Sequence, residues 1–325
     1  MEIVKRGLRT VGFVILGIVI LLVLLVGFLL IKNYIVSKKP WLEKDYYTAF
    51  QSDSALEKKY AGPGSYDVSN TVIKSDDDTI KNIRIWYPTE LDNTAEKYPF
   101  IIVTNASNTA ALNYEPYFER LASWGFIVVG NDDRQAGTGI STSLTLDYML
   151  EQNQNSKSLF YEKIDTRNIG IIGYSQGGAG AVRAVTEYGN SGLYKTIFTG
   201  SAAHSYIAQM WGGYDASKVS IPWFMTAATG TSDDTGAKDA ATEWAGVAPL
   251  SSLAENYNAM SDNVFKLRAR VVGAEHEDMQ ESTDGYMTAW MLYQLQGDEE
   301  AGTALTGENA EILSNPNWQD IEKSR

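Results

Sequence analysis

From Tyr66 onward, short runs rich in β-branched and aromatic residues alternate with longer helical patterns, and no other feature narrows the possible folds as far. The runs fall at 68–73, 83–87, 100–103, 126–129, 169–172, 196–198, 223–228 and 265–272, the helical patterns at 114–124, 145–153, 176–188, 249–260 and 285–295. Strands joined through helices pair in parallel, because a parallel connection must cross over the sheet, and the helices then cover both of its faces. The expectation is an α/β fold with an eight-stranded, mostly parallel, doubly wound sheet and crossovers from the third strand onward. Sheets of this kind bind ligands outside the carboxyl ends of their strands, so the chemistry is sought there.

One strand end carries a pattern with a mechanism. The run 169–172 leads into Gly173-Tyr174-Ser175-Gln176-Gly177, a G-x-S-x-G sequence followed by Gly178, Ala179, Gly180 and Ala181. A sharp strand-to-helix turn that presents a serine hydroxyl strains the serine backbone and needs neighbours without side chains. Gly173 and Gly177 meet that need, and the small residues that follow let the helix press on the sheet. Ser175 is therefore the candidate nucleophile.

A serine hydroxyl attacks a carbonyl only when a base takes its proton, and the chain holds two histidines, His204 and His276. His276 directly follows the last expected strand, whereas His204 follows the sixth, toward the rim of the same cleft. The α/β-hydrolase arrangement runs nucleophile, acid, histidine along the chain, which His276 satisfies and His204 does not. His276 is the expected base and His204 a wall of the substrate cleft. The acid that holds the imidazole belongs at the end of the penultimate strand, where Thr231-Ser232-Asp233-Asp234 offers two carboxylates. Spacing does not choose between Asp233 and Asp234. The oxyanion of the transition state needs N–H donors, expected from Gln176 and from Ser107 in the polar loop 104–109. Glu275-His276-Glu277-Asp278 has no second histidine at ligand spacing, so neither a metal nor a cofactor is expected.

The start of the chain is a separate problem. Residues 11–31 carry no charge and are nearly all Val, Ile, Leu, Phe or Gly. As a helix rising about 1.5 Å per residue, the run matches a hydrocarbon core of about 30 Å. It is too long for the apolar part of a cleaved signal peptide and reads as an uncleaved single-pass anchor in the cell membrane. Lys5, Arg6 and Arg9 on one flank balance Lys32, Lys38 and Lys39 on the other. The positive-inside count is therefore tied, and a short cytoplasmic N-terminus with an extracytoplasmic body is the expected orientation. The absence of Cys suits that exterior. Of the formal net charge of −13, the arm contributes +5, which leaves −18 on the body and excludes nucleic acid as a partner. The expected layout is a basic flank over 1–10, the anchor over 11–31, a stalk over 32–60 with a helix from 41 to 60, an α/β-hydrolase domain over 61–297 and a polar tail over 298–325.

Assembled in this way, the chain resembles the serine α/β-hydrolases of the cutinase-like polyester hydrolase, chlorophyllase and dienelactone-hydrolase-like group. The resemblance runs over 60–297. It is carried by Gly62-Pro63-Gly64 with Tyr66, by Trp86-Tyr87-Pro88, by Leu121-Ala122-Ser123-Trp124-Gly125-Phe126-Ile127-Val128-Val129, by the Ser175 turn, by the His276 loop and by Ala289-Trp290. It implies a nucleophile at Ser175, a base at His276, oxyanion donors at Ser107 and Gln176, and cleavage of a small-molecule ester through an acyl-enzyme. An amidase or peptidase using the same triad, or a silent binding platform on the same fold, are the alternatives. The chain departs from the group at three points. Asn105-Ala106 stands where polyester hydrolases carry Pro-Gly, and Ala203 stands where an aromatic precedes the histidine matching His204. An insertion over 235–249, containing Trp244, has no counterpart in the compact polyester hydrolases and is expected to cover the cleft. The acid aligns with Asp234 on one matching of the strand and with Asp233 on the other.

Overall fold

The computed structural model describes residues 2–36, 40–238 and 242–325. They divide into two compact units, Met1–Trp41 and Leu42–Arg325. The first is essentially one helix, α1 (Glu2–Val36), in which Ile15–Lys32 has a mean hydropathy of 3.1 and no buried residue. This helix is long and apolar enough to cross a membrane or to serve as a signal anchor. It runs past 11–31 at both ends, because Glu, Lys and Arg are themselves good helix formers. Lys38 and Lys39 lie outside the described residues.

The second unit is built on one sheet of nine strands: β1 (Val68–Lys74), β2 (Asn82–Pro88), β3 (Tyr98–Thr104), β4 (Ile127–Asn131), β5 (Ile164–Tyr174), β6 (Tyr194–Gly200), β7 (Trp223–Ala228), β8 (Lys266–Val271) and β9 (Trp318–Lys323). Their spatial order is β1-β2-β4-β3-β5-β6-β7-β8-β9. The stretch from β4 to β8 is parallel, with β1 and β2 antiparallel on one flank and β9 on the other. Around it lie α2 (Ala55–Ala61), α3 (Glu115–Ala122), α4 (Ile140–Gln154), α5 (Gln176–Ala184), α6 (Ser205–Ala208), α7 (Leu250–Ala259), α8 (Met279–Ser282), α9 (Asp284–Met291) and α10 (Glu299–Thr303). Side chains of a strand point alternately to opposite faces. Along β3, Phe100 and Ile102 accordingly join one core while Ile101 and Val103 join the other. Both faces are buried, which is why the parallel strands read as continuous apolar runs.

All eight expected strands form, and the ninth comes from the segment expected to be a polar tail. Its polarity is what fits it to the edge: Glu322 meets Arg268 at 2.6 Å and Asp320 meets Arg270 at 2.7 Å, both arginines belonging to β8. Between β8 and the chain end, Ala301, Ala304, Leu305, Ile312 and Trp318 are buried, so 298–325 is part of the core.

The expected stalk is likewise folded from residue 42 onward, and 41–60 does not form one helix. A 3-10 turn (Tyr46–Ala49) precedes α2, and both dock on the body. The Glu311 carboxylate accepts the Leu56 and Glu57 amides at 2.9 Å each, a charge placed at the positive end of α2. Glu57, buried in turn, accepts from Trp318 Nε1 and, at 2.7 Å, from Asn315 Nδ2. The two segments that look polar and dispensable in sequence satisfy each other's polar groups.

Candidate active site

β3 lies between β4 and β5, so the chain leaves β3 toward one side and β5 toward the other, and a crevice opens above the pair. Ser175 follows β5 with φ 53° and ψ −122°, a conformation costly for any residue with a side chain. Its amide donates to the Gly200 carbonyl at 3.0 Å, which fixes the turn against β6. The glycines of the motif have separate jobs. A Cβ on Gly173 would overlap the Gly177 carbonyl, and one on Gly177 would overlap the Thr104 and Asn105 carbonyls of the neighbouring loop.

His276 stands after β8 with Nε2 2.9 Å from Ser175 Oγ, and its Nδ1 lies 2.6 Å from Asp233 Oδ1. The loop holds it through the His276 amide, which donates to Ser232 Oγ at 2.9 Å. Asp233 is 0% exposed. Its second oxygen accepts from the Ala228 amide at 2.7 Å and from the Ser201 hydroxyl, so the carboxylate meets an imidazole, a backbone amide and a hydroxyl. An acceptor at Nδ1 fixes the tautomer of the ring and keeps its bare nitrogen toward the serine. Such a chain can draw a proton off a hydroxyl and store it one atom away.

Asp234 points elsewhere. Its carboxylate pairs with Arg270 at 2.7 Å and accepts from Leu250 N at 3.2 Å and Gly236 N at 2.9 Å. It ties the end of β7 to β8 and, through Arg270, to Asp320 of β9. The structure thus brings Ser175, His276 and Asp233 together and leaves Asp234 outside that chain. Ser201, which sequence reasoning missed, belongs to the cluster. It has φ 46° at the end of β6, and its amide bonds the Thr226 carbonyl at 2.8 Å, but a single serine after a strand carries no motif.

Ser107 and Gln176 flank Ser175. Gln176 opens α5, whose first N–H groups have no partner within the helix. In the other loop, Ala106 N donates to Tyr114 Oη at 3.2 Å, Asn108 N to Arg134 O at 2.9 Å and Thr109 N to Ala106 O at 3.2 Å. Among the described residues, the Ser107 amide has no partner in the chain.

A cleft of about 630 Å³ opens beside Ser175, with Ser107, Ala203, His204, Tyr206, Met210 and Trp244 among its walls. His204 is 3% exposed and stands with its amide on the Val247 carbonyl at 3.0 Å. Burial pushes its imidazole below the ordinary histidine value, against the pull of Glu255. The inserted loop is knitted to the strand end below it: Val247 N bonds Ser232 O at 3.0 Å and Ala248 N bonds Asp233 O at 3.1 Å. Trp244 is 62% exposed and forms a side of the cleft, while 239–241, the middle of the insertion, lie outside the described residues. Among the described residues, no group of three or more His, Cys, Asp or Glu is placed to hold a metal ion.

A profile of the family described as PET hydrolase-like matches residues 52–320, well over half of the chain. No curated protein matches it.

Proposed function

The chain belongs to the PET hydrolase-like family, which makes it a serine hydrolase acting on esters, and on that premise we propose that it is a membrane-anchored carboxylesterase working through an acyl-enzyme on Ser175. The observation that carries the reading is the unbroken chain from Ser175 Oγ through His276 to the buried Asp233. In this mechanism Ser175 Oγ bonds to the ester carbonyl carbon as its proton passes to His276 Nε2. The carbonyl oxygen takes up the negative charge and is met by the Ser107 and Gln176 amides. Collapse breaks the bond to the alkoxy oxygen, which leaves as the alcohol with the proton from His276. Water then repeats the sequence on the acyl-enzyme, giving its proton to His276 and releasing the acid and the free Ser175. Asp233 stays charged throughout and stabilises the imidazolium. Asp234 acts as an anchor for the strand end, and His204 and Trp244 border the apolar part of the substrate. No cofactor takes part.

The exposed apolar stretch Ile15–Lys32 supports an anchor, and the tied basic flanks are read with the body on the extracytoplasmic side. The hydrolase domain then starts at 42 and runs to 325. Labelling by a fluorophosphonate probe, read on a gel, tests the chemistry: the wild-type chain is labelled and hydrolyses p-nitrophenyl esters, and Ser175→Ala loses both. A folded wild type that takes no label would overturn the reading. Alkaline carbonate extraction tests the anchor, with the full chain remaining in the membrane pellet and a chain beginning at Leu42 going to the supernatant.

A further inference from the structure

Asn105 follows β3 directly, is 1% exposed, and spends its side chain unevenly. Its Nδ2 donates to the Asn131 carbonyl at 2.8 Å and to the Asp133 carbonyl at 2.6 Å, with Asn131 Oδ1 at 3.3 Å, all at the end of β4. Its Oδ1 is buried with no partner among the described residues. A buried amide with an orphaned acceptor is an unfavourable way to fill space, and an apolar side chain of similar size would avoid that loss. The donor half must therefore supply something, and what it supplies is a strap between the loops after β3 and β4.

The same residue is gripped on its other side. Its carbonyl lies against Gly177, so close that a Cβ there would clash, and Gly177 follows Gln176 at the start of α5. Asn105 is thus fixed between the β4 end and the α5 start, two positions before the one amide of the 106–109 turn that is left without a partner.

We infer that Asn105 is a positioning residue for the Ser107 amide: its two bonds to the Asn131 and Asp133 carbonyls set where that N–H stands relative to the Gln176 N–H across Gly177. The inference rests on the reading of those two amides as oxyanion donors. A donor works on the transition state only if it is already aimed where the charge will develop, so a loop free to shift loses rate while keeping substrate affinity.

The test uses the full chain in detergent, with rates on a p-nitrophenyl ester expressed per site labelled by fluorophosphonate, so that unfolded molecules drop out. Asn105→Ala lowers kcat per labelled site by roughly 10- to 100-fold, the scale expected for a misplaced reacting group, with KM within about 3-fold. Affinity for an arylboronic acid, whose tetrahedral adduct presents an oxygen to the same amides, falls in parallel. Asn105→Ser, which keeps one donor, lies between. Ser107→Pro deletes the amide itself and lowers kcat further, and adding Asn105→Ala to it costs nothing more, because both act through one group. An unchanged kcat per labelled site in Asn105→Ala, with only the thermal midpoint lowered, overturns the inference, as does a double variant whose losses multiply. If Ser107→Pro keeps full kcat, the oxyanion reading itself fails. If Ser107→Pro is impaired while Asn105→Ala is not, that reading stands and the Asn105 inference alone falls.

Discussion

Asp233 and Asp284 are buried to the same degree, at 0% and 1% exposure, in opposite kinds of surroundings. Asp284 sits at the start of α9 against a charge, with Arg120 Nη2 at 2.8 Å and Tyr46 Oη at 2.5 Å, and Arg120 donates as well to Tyr46 Oη, Tyr60 O and Thr288 Oγ1. Arg120, Tyr60 and Thr288 are buried, and Tyr46 is half-buried over them. Burial dominates there and holds the Asp284 carboxyl up at about 6, against the pull of the Arg120 guanidinium. Besides the imidazole, Asp233 meets an amide and a hydroxyl, and that imidazole reaches the cleft, with the His276 side chain 18% exposed. A buried carboxylate paired with a fixed guanidinium holds structure, whereas one facing an imidazole that reaches the cleft is placed to stabilise a charge that comes and goes.

The strongest way to break this contrast is to neutralise each carboxylate. Asp233→Asn lowers kcat by about 10⁴-fold, the scale seen when a triad acid is made an amide, while far-UV circular dichroism stays native. Asp234→Asn, one residue away, keeps kcat within about 10-fold because the ion pair it loses with Arg270 is structural, and Asp320 still holds that arginine. Equal losses from both variants would remove the distinction between them. Asp284→Asn produces the reverse pattern: kcat per labelled site stays within about 3-fold, and the change appears in urea unfolding, where the variant no longer carries the wild type's loss of stability between pH 4 and 7.

Asp284 also gives the contrast a pH signature. Its carboxyl binds a proton more tightly folded than unfolded, so its contribution to stability is complete below about pH 4, the ordinary carboxylate range, and is lost as pH rises through about 6. Urea midpoints of wild type and Asp284→Asn measured between pH 4 and 7 should differ in slope within that window, the wild type losing more as pH rises. Parallel curves would mean that Arg120 answers the carboxylate more fully than burial opposes it. The smallest effect is expected at the cleft rim, where Trp244→Ala raises KM for bulky apolar esters by roughly 3- to 10-fold and leaves kcat within about 2-fold, since part of an exposed ring's apolar contact is lost.

How much of this was legible in the chain depended on how local the deciding contacts are. The strands of the parallel sheet are visible because burial on both faces makes them uniformly apolar, and the Ser175 turn because its glycines answer steric demands made by close neighbours. β9 escaped notice because Asp320 and Glu322 read as solvent charges until Arg268 and Arg270 come beside them. The strap of 42–61 escaped for the same reason: Glu57 has its partners at Asn315 and Trp318, near the far end of the chain. Ser201 could not be singled out, since its only distinction is where β6 and β7 place it relative to Asp233.

The order of the residues along the chain was sufficient for the α/β architecture, for Ser175 as the hydroxyl at the strand-to-helix turn and for His276 as its neighbour, because period, turn chemistry and chain order are properties of short stretches. The choice between Asp233 and Asp234 was made only in three dimensions. The two are identical in type and adjacent in sequence, and what separates them is that one faces the Ala228 amide, Ser201 and His276 while the other faces Arg270. Which neighbour a side chain meets at the end of a strand is set by the packing of elements distant in sequence, and that information enters only when the sheet closes.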